Sequence, residues 1–383
     1  MKFCAAVLAF KEALSLVSRA VPKQPTHPIL GNLLLTGSSE QIVTVTGFDL
    51  SIGIVASFSA EVLDPGSVTV PVKLLTKIVS NFVDGEVIVE CSQEYLVLVI
   101  RTNSGKYQVN GLDAADFPEL PKPSAMQLHI QSEVLRQGLV STLFAAELNE
   151  VMHALCGVHC KFRGNEIELA STNGHILALA VLEQNIKNAT EEASVAEATI
   201  PTKALNELLR ILGKIPPEEI LKIYIQEGQV LFQVLDIKLL TRIYSEQYPM
   251  YEKLIPQQFE RKITVDRLLL LSAIEGIAAI ASYLKDVLWL AIDSEKQVLT
   301  IWAKADIGNA VETIPVKSSG ESLQIAFNAR YLKKALRVMS SSEVEMLLNG
   351  NQDPVIITPT TLSTNTKKAV MLLMPLQSQA DST

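Results

Sequence analysis

The chain is three imperfect copies of one unit, and a repeat of that length leaves few folds open. Along its 383 residues a period of about 126 to 131 residues is visible. Val70-Pro71-Val72-Lys73-Leu74-Leu75 returns as Ile200-Pro201-Thr202-Lys203-Ala204-Leu205, and more loosely as Ala326-Phe327-Asn328-Ala329-Arg330-Tyr331-Leu332. Thr46 to Ile52 matches Thr172 to Ala178, with a weaker third copy at Lys304 to Gly308. Phe117-Pro118 returns as Tyr248-Pro249 and Met374-Pro375. Three units of about 125 residues fill the whole length, which is more than one hydrophobic core normally serves. The expectation is three similar domains, at 1–123, 124–252 and 253–383, with limits in the proline-bearing turns near Pro121 and Pro256.

Within each unit, short β-rich runs alternate with two helical stripes. Strands are predicted at 41–46, 86–90, 96–100, 166–170, 222–225, 229–234 and 298–302. Leu74, Leu75, Ile78, Val79 and Phe82 form one apolar stripe, and Leu205, Leu208, Leu209 and Leu212 another. Two helices and roughly eight strands per unit describe an α+β domain with its helices packed on antiparallel sheets. At 48% hydrophobic and 19% charged residues, extensive disorder is excluded. No apolar run reaches the ~18 residues of a membrane span. The stretch Phe3 to Phe10 imitates a signal peptide, but Lys11-Glu12 follow at once, so it reads as a first strand entering a first helix. Cys4, Cys91, Cys156 and Cys160 show no disulfide-scaffold spacing, which with the foregoing predicts a cytoplasmic protein.

A net charge of −8 argues, by itself, against a nucleic-acid partner. Its distribution argues the other way. The six candidate helical spans, 11–23, 73–84, 133–146, 202–214, 266–286 and 329–340, hold 15 Lys and Arg against 7 Asp and Glu, a net of +8. The remainder holds 18 against 34, a net of −16. Arg330, Lys333, Lys334 and Arg337 share one helical face, and Lys203, Arg210 and Lys214 lie within an arc opposite a Leu stripe. Any one charged stripe is explained by solvation, but solvation does not require a single sign. A face of one positive sign attracts phosphates without reading bases.

Catalytic and metal chemistry find no support. His153, Cys156, His159 and Cys160 look like a zinc cluster, but 154–162 reads as a strand. That would hold the two histidines about 20 Å apart and the cysteines on the opposite face. No metal and no cofactor are expected. There is no nucleophile elbow, phosphate loop, dinucleotide fingerprint or zinc-protease motif. A three-domain enzyme or small-molecule binder with solvent-facing basic helices stays open as the alternative.

The repeat, Thr172-Asn173-Gly174-His175 with Leu177, Tyr248-Pro249-Met250-Tyr251 through Pro256, Phe327-Asn328 with Tyr331, and Leu373-Met374-Pro375-Leu376 together resemble the bacterial sliding clamp family, the β processivity subunit of DNA polymerase III. The resemblance runs from Met1-Lys2-Phe3 through Pro28 to Leu35 and on to the last strand. It implies a head-to-tail homodimer, a six-domain ring lined by twelve helices around duplex DNA held without sequence preference. It also implies partners recruited through short peptides: the clamp loader, the polymerase III alpha subunit, and other polymerases and repair proteins. No membrane is involved. The DNA-facing residues would be Lys73, Lys77, Arg136, Lys203, Arg210, Lys214, Arg330, Lys333, Lys334 and Arg337.

Carried over position by position, the peptide pocket would fall on Leu155, Thr172, Gly174, His175 and Leu177, on Pro249, Lys253 and Leu254, and on Tyr331, Pro354, Leu372, Met374, Pro375 and Leu376. The dimer contact would fall on Ile78, Tyr107 and Val109 of one copy and Ile280 of the other. The chain departs from the family pattern at Asn173 and Ile176, where Asp and Arg are usual, at Gln24, where a basic residue is common, and at Gln377, where a polar tail continues to Thr383.

Overall fold

The computed structural model describes every residue except 93, 122–125, 150–152, 184–186, 189–194, 227 and 377–383. Each third of the chain runs strand, helix, five strands, helix, three strands. The six helices are α1 (Val7–Val17), α2 (Val72–Ser80), α3 (Ser132–Thr142), α4 (Thr202–Leu212), α5 (Arg267–Ala281) and α6 (Ala329–Val338). Among the described residues nine strands per third stand where about eight were predicted, and each predicted run contains a strand, that at 154–162 beginning only at Gly157.

Helical boundaries depart furthest from the sequence reading at the first and fifth helices, while the second and third end four residues early, at Ser80 and Thr142. The first helix begins at Val7 rather than at Lys11, because Val7, Phe10, Ala13, Leu14 and Val17 supply the buried stripe; its end tightens into a 3-10 turn at Ser18–Ala20. The fifth starts where predicted, capped by the Asp266 carboxylate accepting from the Leu269 amide at 2.8 Å, but ends early at Ala281. On α2 the predicted stripe is only partly buried. Val72, Leu75 and Val79 face the core, while Leu74 is 47% exposed and Ile78 half-buried.

The chain divides into two compact units: residues 1–132, 187–193 and 206–243, and residues 133–186, 194–205 and 244–383. The central repeat contributes to both, because each unit contains a nine-stranded sheet that crosses a repeat boundary. In the first unit, strand Ile237–Arg242 of the central repeat pairs antiparallel with Ile52–Ser59 of the first, placing Leu239 opposite Ile54. In the second, Ile176–Glu183 pairs with Thr366–Leu373 of the third repeat, placing Leu177 opposite Leu372. The first repeat's other sheet has five strands and ends on Lys106–Asn110; the third repeat's other sheet has four and ends on Gly308–Pro315.

Strand–helix junctions at Ala6, Gln131 and Asp266, and at Pro71, Pro201 and Asn328, align the repeats residue by residue. They correct one sequence match. Asp49 corresponds to Asn173, an offset two residues shorter than the one pairing Thr46 with Thr172. Both residues make the same turn: Asp49 Oδ1 accepts from the amides of Ser51 and Ile52, and Asn173 Oδ1 from those of His175 and Ile176. The residue that follows has positive φ, Leu50 at 73° and Gly174 at 85°. Identical letters misled where hydrogen bonding decides the register.

The alignment also pairs Gly47 with Ser171. Ser171 Oγ donates to the carbonyl of Thr142 at the end of α3. At Gly47 an added Cβ would stand 2.7 Å from the Val17 carbonyl oxygen and 2.8 Å from Val17 Cγ1. Backbone cannot yield as a side chain does, so Gly47→Ala is expected to cost about 1–3 kcal/mol. A urea unfolding midpoint for the variant that matches wild type would show that α1 packs more loosely than this.

Candidate functional site

Strand Ile176–Glu183 reads Ile-Leu-Ala-Leu-Ala-Val-Leu-Glu and is buried along both faces. Ile176 and Ala178 join the core under α5 and α6. Leu177 and Leu179 point to the opposite face and form a second apolar cluster with Ala170, Tyr248, Tyr251, Ile356, Val370 and Leu372, flanked by Leu155 and Ile255. The cluster unites Leu155, Leu177 and Leu372 of the predicted pocket. Leu177 is 1% exposed and so forms its floor rather than its mouth.

The rim is built around the Asn173 turn. Thr172 Oγ1 donates to the Ile176 carbonyl at 2.7 Å and accepts from the Gly174 amide at 3.1 Å. Asn173 Nδ2 donates to the Tyr331 hydroxyl at 3.2 Å, and the His175 and Tyr331 rings lie 6.2 Å apart at 18°. The Met374 amide donates to the His175 carbonyl at 2.9 Å, and the Leu376 amide to the Ala326 carbonyl at 2.8 Å. These bonds set Met374, 40% exposed, beside the His175 turn. Pro249, Lys253 and Leu254 are exposed, and Pro354, Pro375 and Leu376 partly so. Gln24 is exposed, and Gln377 lies outside the described residues.

Beneath the second cluster is a charged group that sequence reasoning missed. Lys161 Nζ, 9% exposed, stands 2.5 Å from Glu252, 3.4 Å from Glu168 and 4.8 Å from the centre of the Tyr251 ring. The Tyr251 hydroxyl donates to Glu168 at 2.5 Å. Burial and the neighbouring Glu168 carboxylate push the Tyr251 phenol up, so it stays protonated and keeps donating. At Glu252 burial raises the carboxyl and the Lys161 hydrogen bond lowers it, with the net direction downward. The polar letters at 161 and 168, each inside a strand, were the available signal.

Three of the four residues weighed for zinc, Cys156, His159 and Cys160, are ordinary packing groups. The stretch predicted as one strand is a 3-10 turn, His153–Cys156, followed by strand Gly157–Arg163. His159 stacks on Tyr248 at 4.9 Å and its Nδ1 lies 3.0 Å from Thr199 Oγ1. Cys156 Sγ donates to the Asn149 carbonyl at 3.1 Å. Burial pushes the Cys160 thiol up to about 12. The His153 side chain lies outside the described residues. Among the described residues no group of three or more His, Cys, Asp or Glu could hold a metal ion, and no helix is long and apolar enough to cross a membrane.

The helices as they stand carry eleven Lys and Arg against four Asp and Glu. Their cations are not equivalent. Arg136 makes a two-pronged pair with Glu133 at 2.5 and 2.6 Å, and Arg210 meets Glu207 at 2.5 Å. Arg330 meets Asp286 at 2.7 Å and Arg337 meets Glu275 at 2.6 Å. Lys73 donates to the Lys23 carbonyl. Lys77, Lys333 and Lys334 have no carboxylate within 4.0 Å among the described residues. Lys203, Arg210 and Lys214 are exposed, as the Leu stripe opposite them requires; Lys214 lies just past the end of α4.

Models of the DNA polymerase III beta subunit match the chain in three consecutive stretches: the N-terminal domain at 1–121, the central domain at 129–250 and the C-terminal domain at 252–376. The chain belongs to the DNA polymerase III beta subunit family. Among the family's members, the beta sliding clamp of Synechococcus elongatus is 38% identical over 95% of this chain and 96% of its own length. That of Synechocystis sp. is 36% identical over 90% and 92%. The crystal structure of the DNA polymerase sliding clamp from Bacillus subtilis superposes with a TM-score of 0.91 at 27% identity, covering 99% of both chains. As a beta subunit, the chain has three clamp-like α+β domains of one architecture.

The stacked His159 gives this beta subunit an acid-sensitive joint. Burial, then the Lys161 charge, hold the imidazole below its usual 6.5. The unfolded chain therefore binds this proton more readily, and stability falls as pH drops below about 6.5 until the folded value is reached. His159→Gln is expected to flatten that part of the pH profile. Urea midpoints at pH 7.5 and pH 5.5 whose difference is the same in wild type and variant would assign the acid sensitivity elsewhere.

Proposed function

We propose that two copies of this chain close head to tail into a ring around duplex DNA and recruit replication and repair proteins through short peptides. The role is that of a non-catalytic, DNA-tethering processivity factor, in keeping with the family. Domain limits at 1–123, 124–252 and 253–383 are part of this reading.

The observation that carries the ring is a missing partner. Two repeat boundaries are sealed by the same strand pairing: Leu239 opposite Ile54, and Met371 opposite Ala178. The first repeat's counterpart of Leu239 and Met371 is Tyr107, on an edge strand. The third repeat's counterpart of Ile54 and Ala178 is Ala310, also on an edge strand. Both junctions thus give one register for a pairing between copies, Tyr107 opposite Ala310 and Gln108 opposite Asn309. Such a contact is heterologous and closes with two copies.

Exposed apolar side chains flank both edges. Tyr107 lies on the first edge strand and Val311 on the second, with Ile307 just before it. Exposed Leu74 and Leu284 and half-buried Ile78 and Ile280 would join the contact. Val109 is 1% exposed and would contribute backbone only. Gln108→Cys with Asn309→Cys should form a disulfide-linked dimer on mild oxidation, whereas Gln108→Cys with Thr313→Cys should not. Equal cross-linking of both pairs would defeat this register.

DNA would meet the helical cations through phosphate alone. Reversing Arg330, Lys334 and Arg337 would also set new carboxylates against Asp286 and Glu275, so Lys77, Lys333 and Lys334 are the cleaner set. Changed together to Glu, they should shorten retention on nicked circular DNA by tenfold or more and leave the dimer intact. Retention on linear DNA should be brief for both proteins. Unchanged retention on circles would remove these lysines from the DNA path.

The peptide would lie on the rim of the second cluster, against Leu155, Leu254 and Met374, over the floor of Leu177 and Leu372. Lys253, Pro249, Pro354, Pro375, Leu376 and Tyr331 would border it, with Thr172, Gly174 and His175 shaping one wall. Burial of one Leu or Phe side chain there contributes roughly 1.5–3 kcal/mol, so single peptides would bind weakly and gain from two sites per ring.

A further inference from the structure

The repeat alignment places a counterpart of the second apolar cluster in the first unit, and there it is open. Where the central repeat has His159, Lys161, Glu168 and Tyr251, the first repeat has Leu34, Thr36, Thr44 and Leu120. Where Leu177 fills the floor, the first repeat has Gly53. The stacked and ion-paired group that packs the later junction is thus replaced by smaller side chains. Three cavities of about 540, 360 and 220 Å³ stand in its place. They share walls: Val55 and Leu120 border the first two, and Pro121 and Leu240 the second and third. They form one trough rather than three pits.

Its middle is largely apolar and its charges are separated, with Glu119 on the wall of the first cavity and the cations toward the other end. Val55, Leu120, Leu231 and Leu240 line the middle. Lys238 lies on the wall of the second cavity and Arg242 on that of the third. Both are exposed, and neither has a carboxylate within 4.0 Å among the described residues. A compact ligand would use one cavity. A continuous trough with an apolar middle and cations toward one end fits an extended segment instead.

We propose that this trough is a second peptide site, taking an extended segment of a partner protein in which a Leu or Phe side chain is followed within a few residues by carboxylates. The apolar side chain would enter between Val55, Leu120 and Leu231, and the carboxylates would meet Lys238 and Arg242. That the occupant comes from another protein rests on the clamp reading; the trough itself does not. A ring would then offer four peptide positions rather than two.

The test uses the full-length dimer and the peptide Asp-Leu-Gly-Phe-Asp, with its Phe replaced by benzoylphenylalanine. After irradiation, adducts are mapped by mass spectrometry. Adducts in 113–121 and 229–242 are expected, reduced at least fivefold by Lys238→Glu with Arg242→Glu, two exposed positions whose exchange leaves the fold intact. Adducts around Met374 report the other site independently. Their absence, with the first set retained, would count against that pocket and not this one. No adducts in the two segments, or adducts indifferent to the charge reversal, would overturn the proposal. So would equal labelling by the neutral peptide Asn-Leu-Gly-Phe-Asn, which marks a general apolar sink, or labelling lost as protein concentration rises, which marks a second copy as occupant.

Discussion

A β-sheet edge presents a row of unpaired amides and carbonyls, and each repeat of this chain brings two sheets whose edges must be covered. The chain covers them by pairing the last strand of one repeat with a strand of the repeat before it, at Leu239 with Ile54 and at Met371 with Ala178. Three repeats have two internal boundaries, so the counterpart edges Lys106–Asn110 and Gly308–Pro315 have no such partner strand among the described residues. The proposed head-to-tail dimer would apply the same solution a third time between copies. It would also make the repeat number matter, because closure needs these two edges to be complementary.

Sealing a boundary by backbone pairing buries both faces of the strands involved, and that is where the proposed peptide pocket would originate. Ile176 and Ala178 serve the core, while Leu177 and Leu179, one residue out of phase, build a second cluster on the far face. At the later boundary this cluster is filled by two tyrosines, a stacked histidine and a buried lysine held by two carboxylates. At the earlier one the same positions carry Thr, Leu and Gly. One architecture therefore gives a packed junction with a shallow rim in one place and an open trough in the other, and side-chain volume decides between them.

Charge follows a similar division. The excess of Lys and Arg on the helices, against an acidic remainder, was legible from residue order because helical periodicity puts i, i+3, i+4 and i+7 on one face. Which of those cations is available was not. Arg337 is held by Glu275, 62 residues away, and Arg330 by Asp286, whereas Lys333 and Lys334 have no carboxylate within 4.0 Å among the described residues. An arginine fork already engaged by a carboxylate is a different electrostatic object from a lysine in water.

Residue order alone specified the threefold unit, the order of helices and strands, the aliphatic stripes and the sign of charge on the helices, because each of these is written in spacings of a few residues. It also carried enough ordered motifs, from Thr172-Asn173-Gly174-His175 to Met374-Pro375, to point to the family. It erred where letters and hydrogen bonds disagree, as at Thr46, which the Asp49 and Asn173 turns move by two positions. Only the tertiary structure decided that Leu177 is a floor, that Val109 faces inward, that Lys161 is buried in a charged group, and that the first repeat's junction is hollow. The reason is physical: backbone pairing between residues as distant as Leu177 and Leu372 uses groups common to every amino acid, so it leaves no mark in the letters, yet it chooses which side chains meet.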